Sequence, residues 1–271
     1  MSELDGVPHQ EVVIHPGRPA LIVQNGDFGE PPADWAHLAD DRETLKKVLP
    51  SVGRIERDGT FKIFGTGFMV ADGVVMTNKH VVLNFAENNG SGWRFKDGVS
   101  VRIDFTAEHE IAGTNRFRIA QVLDVHPTDD LAMLRLEIPS GASQPPPLKL
   151  VARAPRVIEN REVATIGFPT FDTGAGDLSI FQNTFNVKRL QPGRSTGLKP
   201  GGKILGHDCS TSGGNSGSCL IDPRTGHVLA LHFDGRANGN LAVPMWELFK
   251  DNFKKKFDLH WAIPKQRAAH S

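Results

Sequence analysis

Residues 65–82 read Gly-Thr-Gly-Phe-Met-Val-Ala-Asp-Gly-Val-Val-Met-Thr-Asn-Lys-His-Val-Val. Two apolar runs, residues 67–70 and 73–77, meet at the turn-forming Ala71-Asp72-Gly73. Short apolar runs bounded by Gly and Asp are typical of strands joined by a tight turn. His80 follows the second run directly after Thr-Asn, which predicts a histidine at the rim of a sheet rather than inside it.

Similar short runs, broken by Gly, Asp and Asn, continue on both sides of this stretch. A first series begins near residue 51 and comprises residues 61–64, 67–70, 73–77 and 101–105. A second series follows the proline-rich residues 144–147 and comprises residues 148–151, 163–167, 185–190, 203–206, 218–221 and 228–233. Two groups of about six strands predict an all-β protein of two six-stranded antiparallel β-barrels with a cleft between them.

These boundaries divide the chain into four parts. They are an N-terminal extension (residues 1–50), a first barrel (51–143), a second barrel (144–243) and a C-terminal helix and tail (244–271). The extension contains one helix-like stretch, residues 35–49. In the last part Trp246, Phe249, Phe253 and Phe257 recur every three or four residues. This spacing predicts one helix whose apolar stripe packs on its own domain, with Lys254-Lys255-Lys256 on a solvated face.

Composition excludes several classes of function. Lysine plus arginine and aspartate plus glutamate both number 31, so no net charge attracts the protein to nucleic acid or to an anionic membrane. The acidic start lacks the features of a secretory signal, and no apolar stretch is long enough to span a bilayer. We therefore expect a cytoplasmic protein without a membrane or nucleic-acid partner.

The cysteines and histidines give no sign of a metal site. Only Cys209 and Cys219 are present; a disulfide between them is one possibility, but buried free thiols are expected in a chain without an export signal. None of the 11 histidines has His-x-x-x-His spacing, and no Cys-x-x-Cys is present. We expect neither a metal nor another cofactor.

The strongest chemical signal is Ser212-Gly213-Gly214-Asn215-Ser216-Gly217-Ser218. A serine between glycines can lie on a tight turn with an exposed hydroxyl, and the glycines allow backbone amides to point at one spot. Such a string, taken alone, is often only a turn. Likewise a lone histidine such as His80 is usually a surface or core residue.

A third segment favours a catalytic interpretation of Ser216 and His80 over a structural one. His126-Pro127-Thr128-Asp129-Asp130 precedes the alternating run Leu131-Ala132-Met133-Leu134-Arg135-Leu136. A carboxylate at that point can accept the imidazole hydrogen bond and fix the tautomer that takes a serine proton. Asp129 and Asp130 are both candidates.

In the order His, Asp, Ser, these three segments resemble the chymotrypsin-like serine protease superfamily from about residue 52 to 248. The resemblance implies a triad of His80, Asp130 and Ser216, with Asp130 favoured over Asp129 because it directly precedes Leu131. It also implies an oxyanion hole formed by the amides of Gly214 and Ser216. Asn215 stands where the vertebrate digestive members have Asp, so activation by their N-terminal ion pair is not expected. The segment is more similar to the bacterial glutamyl endopeptidases and, more distantly, to HtrA-type proteases.

The same resemblance implies a substrate pocket containing Ser210, Thr211, His232 and Phe233. A hydroxyl and an imidazole in a small pocket suit a carboxylate, which predicts cleavage after Glu or Asp. The alternative is that His232 is structural and that the pocket takes another side chain, since an inward-facing Asp234 would repel an acidic residue.

Two other functional hypotheses stay open on sequence alone. The barrels could form a peptide-binding module without turnover, or a protease gated by its N-terminal extension. In the latter case residues 18–23 could add a strand or cover the cleft, although packing on the back of the barrels is the favoured interpretation. In each hypothesis the partner is a polypeptide. The sequence does not specify the physiological substrate or the oligomeric state.

Overall fold

The structure is a computed structural model that describes residues 12–111, 113–171, 178–236 and 239–263. The ends of the predicted extension and tail, residues 1–11 and 264–271, lie outside the described residues. The strands are β1 Leu21–Gln24, β2 Asp27–Phe28, β3 Val52–Arg57, β4 Ile63–Ala71, β5 Val74–Thr77, β6 Ala86–Asn88, β7 Trp93–Phe95, β8 Val101–Asp104, β9 Arg116–Val125, β10 Ala132–Glu137, β11 Leu150–Val151, β12 Glu162–Gly167, β13 Arg189–Leu198, β14 Leu205–His207, β15 Cys219–Ile221, β16 Val228–Arg236, β17 Gly239–Pro244 and β18 Trp261–Ala262. The α-helices are α1 Arg42–Val48, α2 Lys79–Leu83 and α3 Met245–Lys250. The 3-10 helices are Ala33–Ala39, Leu49–Ser51, Ser179–Phe181 and Asn252–Lys256.

The first barrel is a closed antiparallel sheet in the order β10-β5-β4-β3-β8-β9. The turn at residues 71–73 brings β4 against β5, with Phe68 opposite Met76. Side chains alternate between the two faces of each strand, so every second apolar residue enters the barrel. Ile55, Met69 and Leu134 meet in this core.

The second barrel consists of β12, β15, β16, β17, β14 and β13. It closes where β12 pairs with β13 from Glu162 opposite Arg194 to Gly167 opposite Arg189. The prediction of two six-stranded antiparallel barrels is therefore confirmed. In the second barrel Val163, Leu205 and Leu229 form an apolar centre.

The extension is built into the body of the molecule. Its strand β1 pairs with β13, with Leu21 opposite Leu190. Its helical residues Trp35, Leu38 and Leu45 belong to the largest apolar cluster, which they share with residues of both barrels. The extension thus adds a strand and also packs against the barrels, and none of its described residues lines the cleft.

The C-terminal segment departs from the single predicted helix. Helix α3 ends at Lys250, Asp251 is extended, and a 3-10 helix begins at Asn252. The Asp251 carboxylate accepts a hydrogen bond from the Phe253 amide and so caps the new helix. Trp246 and Phe253 are nevertheless both buried, so the prediction that the stripe packs on its own domain agrees with the structure.

Strand β13 also lies later in the chain than predicted. Sequence placed a strand at residues 185–190, but β13 begins at Arg189 and runs through Gln191-Pro192-Gly193 to Leu198. Pro192 lies opposite Ala164 in the ladder. A Cβ atom on Gly193 would lie 2.7 Å from Asp208 Oδ1. Gly193 therefore permits close approach of the Asp208 segment rather than a turn.

Neither cysteine is in a disulfide: both Cys209 and Cys219 are free and fully buried. Burial raises the pKa of each thiol to about 12. Both side chains therefore act as small apolar groups, Cys209 in the centre of the second barrel and Cys219 in the cluster that both barrels share.

No helix in the described parts of the chain is long and apolar enough to cross a membrane.

Candidate active site

His80 lies in the first turn of α2, directly after strand β5. Asn78 precedes that helix, and its side-chain amide donates to the backbone oxygen of Asp130 at 2.8 Å. This hydrogen bond ties the end of β5 to the loop before β10. The His80 side chain is 43 % exposed and lines the cleft.

Asp130 contacts His80 with both carboxylate oxygens. Oδ2 lies 2.6 Å from His80 Nδ1, and Oδ1 accepts a hydrogen bond from the His80 amide at 2.9 Å. The Asp130 side chain is 25 % exposed. Two contacts from one carboxylate fix both the tautomer and the orientation of the ring.

Asp129 lies elsewhere. Its amide donates to Nδ1 of His126 at 2.9 Å, and its carboxylate lies 3.5 Å from the same nitrogen. Of the two aspartates that the sequence left as candidates, Asp130 is therefore the one against His80.

The loop that carries Ser216 is shaped by two glycines with left-handed backbones, Gly214 at φ 85° and Gly217 at φ 89°. A Cβ atom would lie 2.4 Å from Phe168 O at Gly214 and 2.0 Å from Thr66 O at Gly217. Both positions therefore exclude a side chain on grounds of backbone angle and of space.

The Ser216 loop is joined to the first barrel by Thr66. The Thr66 hydroxyl donates to Gly214 O at 2.7 Å, and the Thr66 amide donates to Ser216 O at 2.8 Å. Since His80 and Asp130 come from the first barrel, these bonds fix the serine loop relative to the histidine.

The backbone amides of the Ser216 loop differ in their hydrogen bonding. Asn215, Gly217 and Ser218 donate to Ser212 O, His232 O and Asn215 O respectively. By contrast, the amides of Gly214 and Ser216 donate to no atom of the described residues. Backbone amides that are free to donate, such as those of the serine and of a residue just before it, can stabilise an oxyanion.

These side chains share one cleft between the barrels, with a volume of about 600 Å³. It is lined by Ile63, Phe64, His80, Asn84, Asp130, Thr170, Ser212, Gly213, Gly214, Ser216, His232, Phe233, Asp234, Gly235 and Arg236. The cleft thus brings together His80, Asp130 and Ser216 with both expected oxyanion donors.

The expected pocket residues divide into two groups. His232 and Phe233 line the cleft, but Ser210 and Thr211 do not. The Thr211 hydroxyl donates to Asn240 Oδ1 at 2.7 Å, and the Ser210 hydroxyl donates to Arg18 O at 2.8 Å. Both hydroxyls are therefore engaged within the protein.

A second histidine lies behind His232. His207 Nε2 is 3.1 Å from His232 Nδ1, and both rings are buried. Burial lowers the pKa of His232 to about 4. Burial, together with the nearby His232 and His15, also holds the pKa of His207 well below its usual value. Both rings are neutral at pH 7.

Sequence analysis missed Arg236, which lines the cleft beside Asp234. Arg236 Nε lies 2.5 Å from Asp234 Oδ2. The two residues are two positions apart on β16 and so lie on the same face of the strand, a spacing that the sequence could have revealed. Arg236 compensates the charge of Asp234.

The cleft offers no metal site of the usual kind. Within the described ranges, no three His, Cys, Asp or Glu side chains lie close enough together to hold a metal ion. The groups that line the cleft are those of acid–base and nucleophilic chemistry: an imidazole, a carboxylate, a hydroxyl and free amides.

A two-barrel fold with a serine, a histidine and an aspartate in its cleft defines the class of serine peptidases. A sequence profile of the trypsin-like peptidase domain matches residues 65–231. A Lysobacter enzymogenes protein named as a probable serine protease is 33 % identical over 275 residues, covering 85 % of this chain and 70 % of the relative. The chain therefore belongs to the trypsin-like serine peptidases and is a serine endopeptidase.

Solved structures share the fold at lower identity. Deg5 superposes with a TM-score of 0.55 at 22 % identity, covering 82 % of this chain and 95 % of Deg5. The active form of the Rv3671c protease from M. tuberculosis gives a TM-score of 0.53 at 21 % identity, covering 84 % of this chain and 89 % of the other. At this level of identity the similarity supports the fold.

Proposed function

We propose that this endopeptidase cleaves peptide bonds through an acyl-enzyme on Ser216, with His80 as general base and Asp130 as the residue that orients it. The observation that carries the proposal is the pair of Asp130 contacts to His80 in the cleft that Ser216 also lines. That arrangement leaves Nε2 of His80 available for the serine proton.

The mechanism follows from these positions. Ser216 Oγ attacks the carbonyl carbon as its proton passes to His80 Nε2, while His80 Nδ1 donates to Asp130. The amides of Gly214 and Ser216 donate to the oxyanion. The C–N bond breaks as His80 returns the proton to the leaving amine. Water, deprotonated by His80, then hydrolyses the ester and regenerates Ser216.

A fluorophosphonate probe tests this role of Ser216, because the probe reacts only with an activated serine. We expect one label per chain at Ser216, and no label in Ser216→Ala or His80→Ala. A folded protein that does not label would instead support a peptide-binding module. Circular dichroism of each variant shows whether the fold is retained.

We further propose a preference for Glu, and secondarily Asp, before the scissile bond. If His207 Nε2–H donates to His232 Nδ1, then Nε2 of His232 carries a proton that it can donate to a bound carboxylate. Nε2 of His232 has no hydrogen-bond partner among the residues of the described structure. His232 therefore recognises the carboxylate as a neutral donor.

The charge of Asp234 does not oppose this preference, because Arg236 is paired with it. The positive charge of the guanidinium lies next to the carboxylate and cancels its charge. Arg236 thus offsets the repulsion between Asp234 and an acidic substrate side chain, which was the objection drawn from the sequence.

Cleavage of a peptide library, read by mass spectrometry, tests the preference directly. We expect products that end in Glu or Asp, and a Glu-to-Gln ratio of kcat/KM that falls toward one in His232→Gln. The matched control is His227→Gln, which is outside the cleft lining. Products that end mainly in Lys, Arg or Leu would contradict the preference without affecting the triad.

A further inference from the structure

A short segment of the extension, residues 12–18, lies along the back of the substrate cleft; we name it the N-terminal strap. It is bridged to the segment that leads into the Ser216 loop. The Val13 amide donates to Thr211 O at 2.9 Å, and the Thr211 amide donates to Val13 O at 2.8 Å. Thr211 directly precedes the cleft-lining residues 212–214.

Ser210 makes a second set of contacts with the strap. Its hydroxyl oxygen accepts from the His15 amide at 3.2 Å and donates to Arg18 O at 2.8 Å. Ser210 is fully buried, so these bonds are shielded from water. The strap therefore supplies the hydrogen-bond partners of the Ser210 hydroxyl, which faces away from the cleft.

Arg18 makes the third contact, a bidentate ion pair with Asp208. Arg18 Nε lies 2.9 Å from Asp208 Oδ1, and the terminal nitrogen lies 2.7 Å from Oδ2. The side chains are 23 % and 17 % exposed. Two parallel hydrogen bonds to one carboxylate fix orientation as well as distance.

The guanidinium is itself held in place by the rest of the extension. It lies 5.5 Å from the centre of the Trp35 ring. The Trp35 indole donates to Gly17 O at 2.7 Å. Because Trp35 is part of the main apolar cluster, Arg18 is anchored to a rigid body.

Asp208 connects this anchor to the second barrel. Its Oδ1 also accepts from the Arg194 amide of β13 at 2.5 Å. One carboxylate thus joins the strap, β13 and the chain that continues through residues 209–214 into the cleft. If this carboxylate lost its Arg18 partner, the segment would keep its bonds to Val13 and to the Arg18 backbone but would lose the ion pair that fixes its orientation.

The geometry points to Arg18 and Asp208 as positioning residues that hold the back wall of the substrate pocket through residues 208–212. This inference rests on the proposed function of the cleft and adds a role for the extension that differs from gating. The strap touches the pocket wall from behind, and none of its residues lines the cleft. It therefore acts on how tightly substrate is held rather than on the triad.

Peptide kinetics of Arg18→Gln and Asp208→Asn provide the test, with Arg42→Gln as control. Arg42 also lies in the extension and pairs with Asp27 and Glu30, but it does not touch residues 208–212. For both test variants we expect kcat/KM to fall about 10- to 100-fold, mostly through KM, because a displaced wall misplaces the substrate. Arg42→Gln should stay within about twofold of wild type, because Arg42 is buried to nearly the same extent as Arg18 but pairs with Asp27 and Glu30, away from the pocket segment.

Three further measurements separate positioning from general destabilisation. The small fluorophosphonate does not need the whole pocket, so its labelling rate at Ser216 should be unchanged in the Arg18 and Asp208 variants. The double variant should lose no more than the worse single variant, because both changes break one contact. Arg18→Lys keeps the charge but loses the bidentate geometry and should lie between wild type and Arg18→Gln.

The inference would be overturned if folded Arg18→Gln had the KM of wild type or lost no more kcat/KM than Arg42→Gln. It would also be overturned if the labelling rate at Ser216 fell together with kcat/KM. If Arg18→Gln does not fold, the peptide kinetics and labelling rates of Arg18→Lys and Asp208→Asn test the inference by the same criteria. Failure of the proposed function is distinguishable, because the wild-type protein itself would then not label.

Discussion

At the scale of single residues, the orientation of the His80 ring depends on one carboxylate. Asp130 accepts from both the ring and the amide of His80. An amide side chain could occupy the same space, but its nitrogen would not accept the Nδ1 proton. The ring would then favour the tautomer with its proton on Nε2, which cannot act as a base toward Ser216.

We therefore predict that Asp130→Asn lowers kcat by about 10⁴-fold at neutral pH with little change in stability. Peptide hydrolysis and the labelling rate at Ser216 measure the effect. Asp129→Asn is the control, because Asp129 contacts His126 instead, and it should remain close to wild type. Equal losses in the two variants would contradict the assignment of Asp130.

The second residue-scale prediction concerns Gly214. Gly214→Ala should lower kcat by about 10²- to 10³-fold, since the new Cβ atom must displace the backbone that carries a proposed oxyanion donor. Gly201→Ala is a matched control: Gly201 has φ 86°, close to the 85° of Gly214, but a Cβ there meets nothing within 4 Å. Gly201→Ala should lose about 1–3 kcal/mol of unfolding free energy through backbone strain. Gly214→Ala should lose more, because its Cβ atom also collides with Phe168 O, and it alone should lose turnover.

At the scale of elements, Lys188 joins three parts of the fold just before β13. Its ammonium donates to Leu49 O at 2.8 Å and to Phe105 O at 2.7 Å, and it lies 3.6 Å from Glu108. The side chain is fully buried. The contacts link the extension and the first barrel to the strand that closes the second barrel.

We predict that Lys188→Met lowers the free energy of unfolding by about 2–4 kcal/mol, because two buried carbonyls lose their donor. Urea denaturation measures the change, and Lys203→Met on the surface should change it by less than about 0.5 kcal/mol. A Lys188→Met protein as stable as wild type would show that the packing of the methionine outweighs the lost bonds.

Lys188 also predicts a pH dependence. Burial lowers its pKa from 10.5 to about 8, so between these values the unfolded chain binds more protons than the folded one. Stability relative to Lys188→Met should therefore rise with pH from about 8 to 10.5. Denaturation of both proteins at several pH values isolates this contribution, and a flat difference would contradict it.

At the scale of the whole molecule, the extension is part of the core. Val23, Trp35, Leu38 and Leu45 are buried in the cluster that both barrels share. This distribution of apolar contacts makes residues 12–50 a structural component and not a separable regulatory arm.

Deletion of residues 1–50 should therefore abolish cooperative unfolding, since it removes several fully buried side chains at once. Thermal denaturation followed by circular dichroism measures the loss, with the full chain as the reference. A folded and active chain beginning at residue 51 would show that the barrels need no extension.

Much of this architecture could be predicted from local sequence patterns. The apolar runs on either side of Ala71-Asp72-Gly73 and the glycines around Ser216 act over a few residues, so their effect is visible in the sequence. Patterns that normally signal a break were less informative. Pro192 and Gly193 lie inside a strand, where Gly193 is needed because a Cβ atom would collide with the approaching Asp208 segment.

Other features of the site depended on contacts between distant residues. Thr211 has the residue type that the resemblance implied for the pocket, but its hydroxyl is bound to Asn240. Arg236 lies in the cleft, and the strap supports the pocket from behind, although neither was expected. No sequence pattern predicts that Arg18 will meet Asp208, 190 residues away.

The amino-acid sequence by itself determined the two barrels and the residue types available for catalysis, because strand periodicity and turn chemistry are local properties. Only the tertiary structure decided that the Ser210 and Thr211 hydroxyls bond within the protein, that His207 lies against His232, and that Arg18 pairs with Asp208. Those outcomes depend on which surfaces pack together, and packing is decided by the whole chain at once.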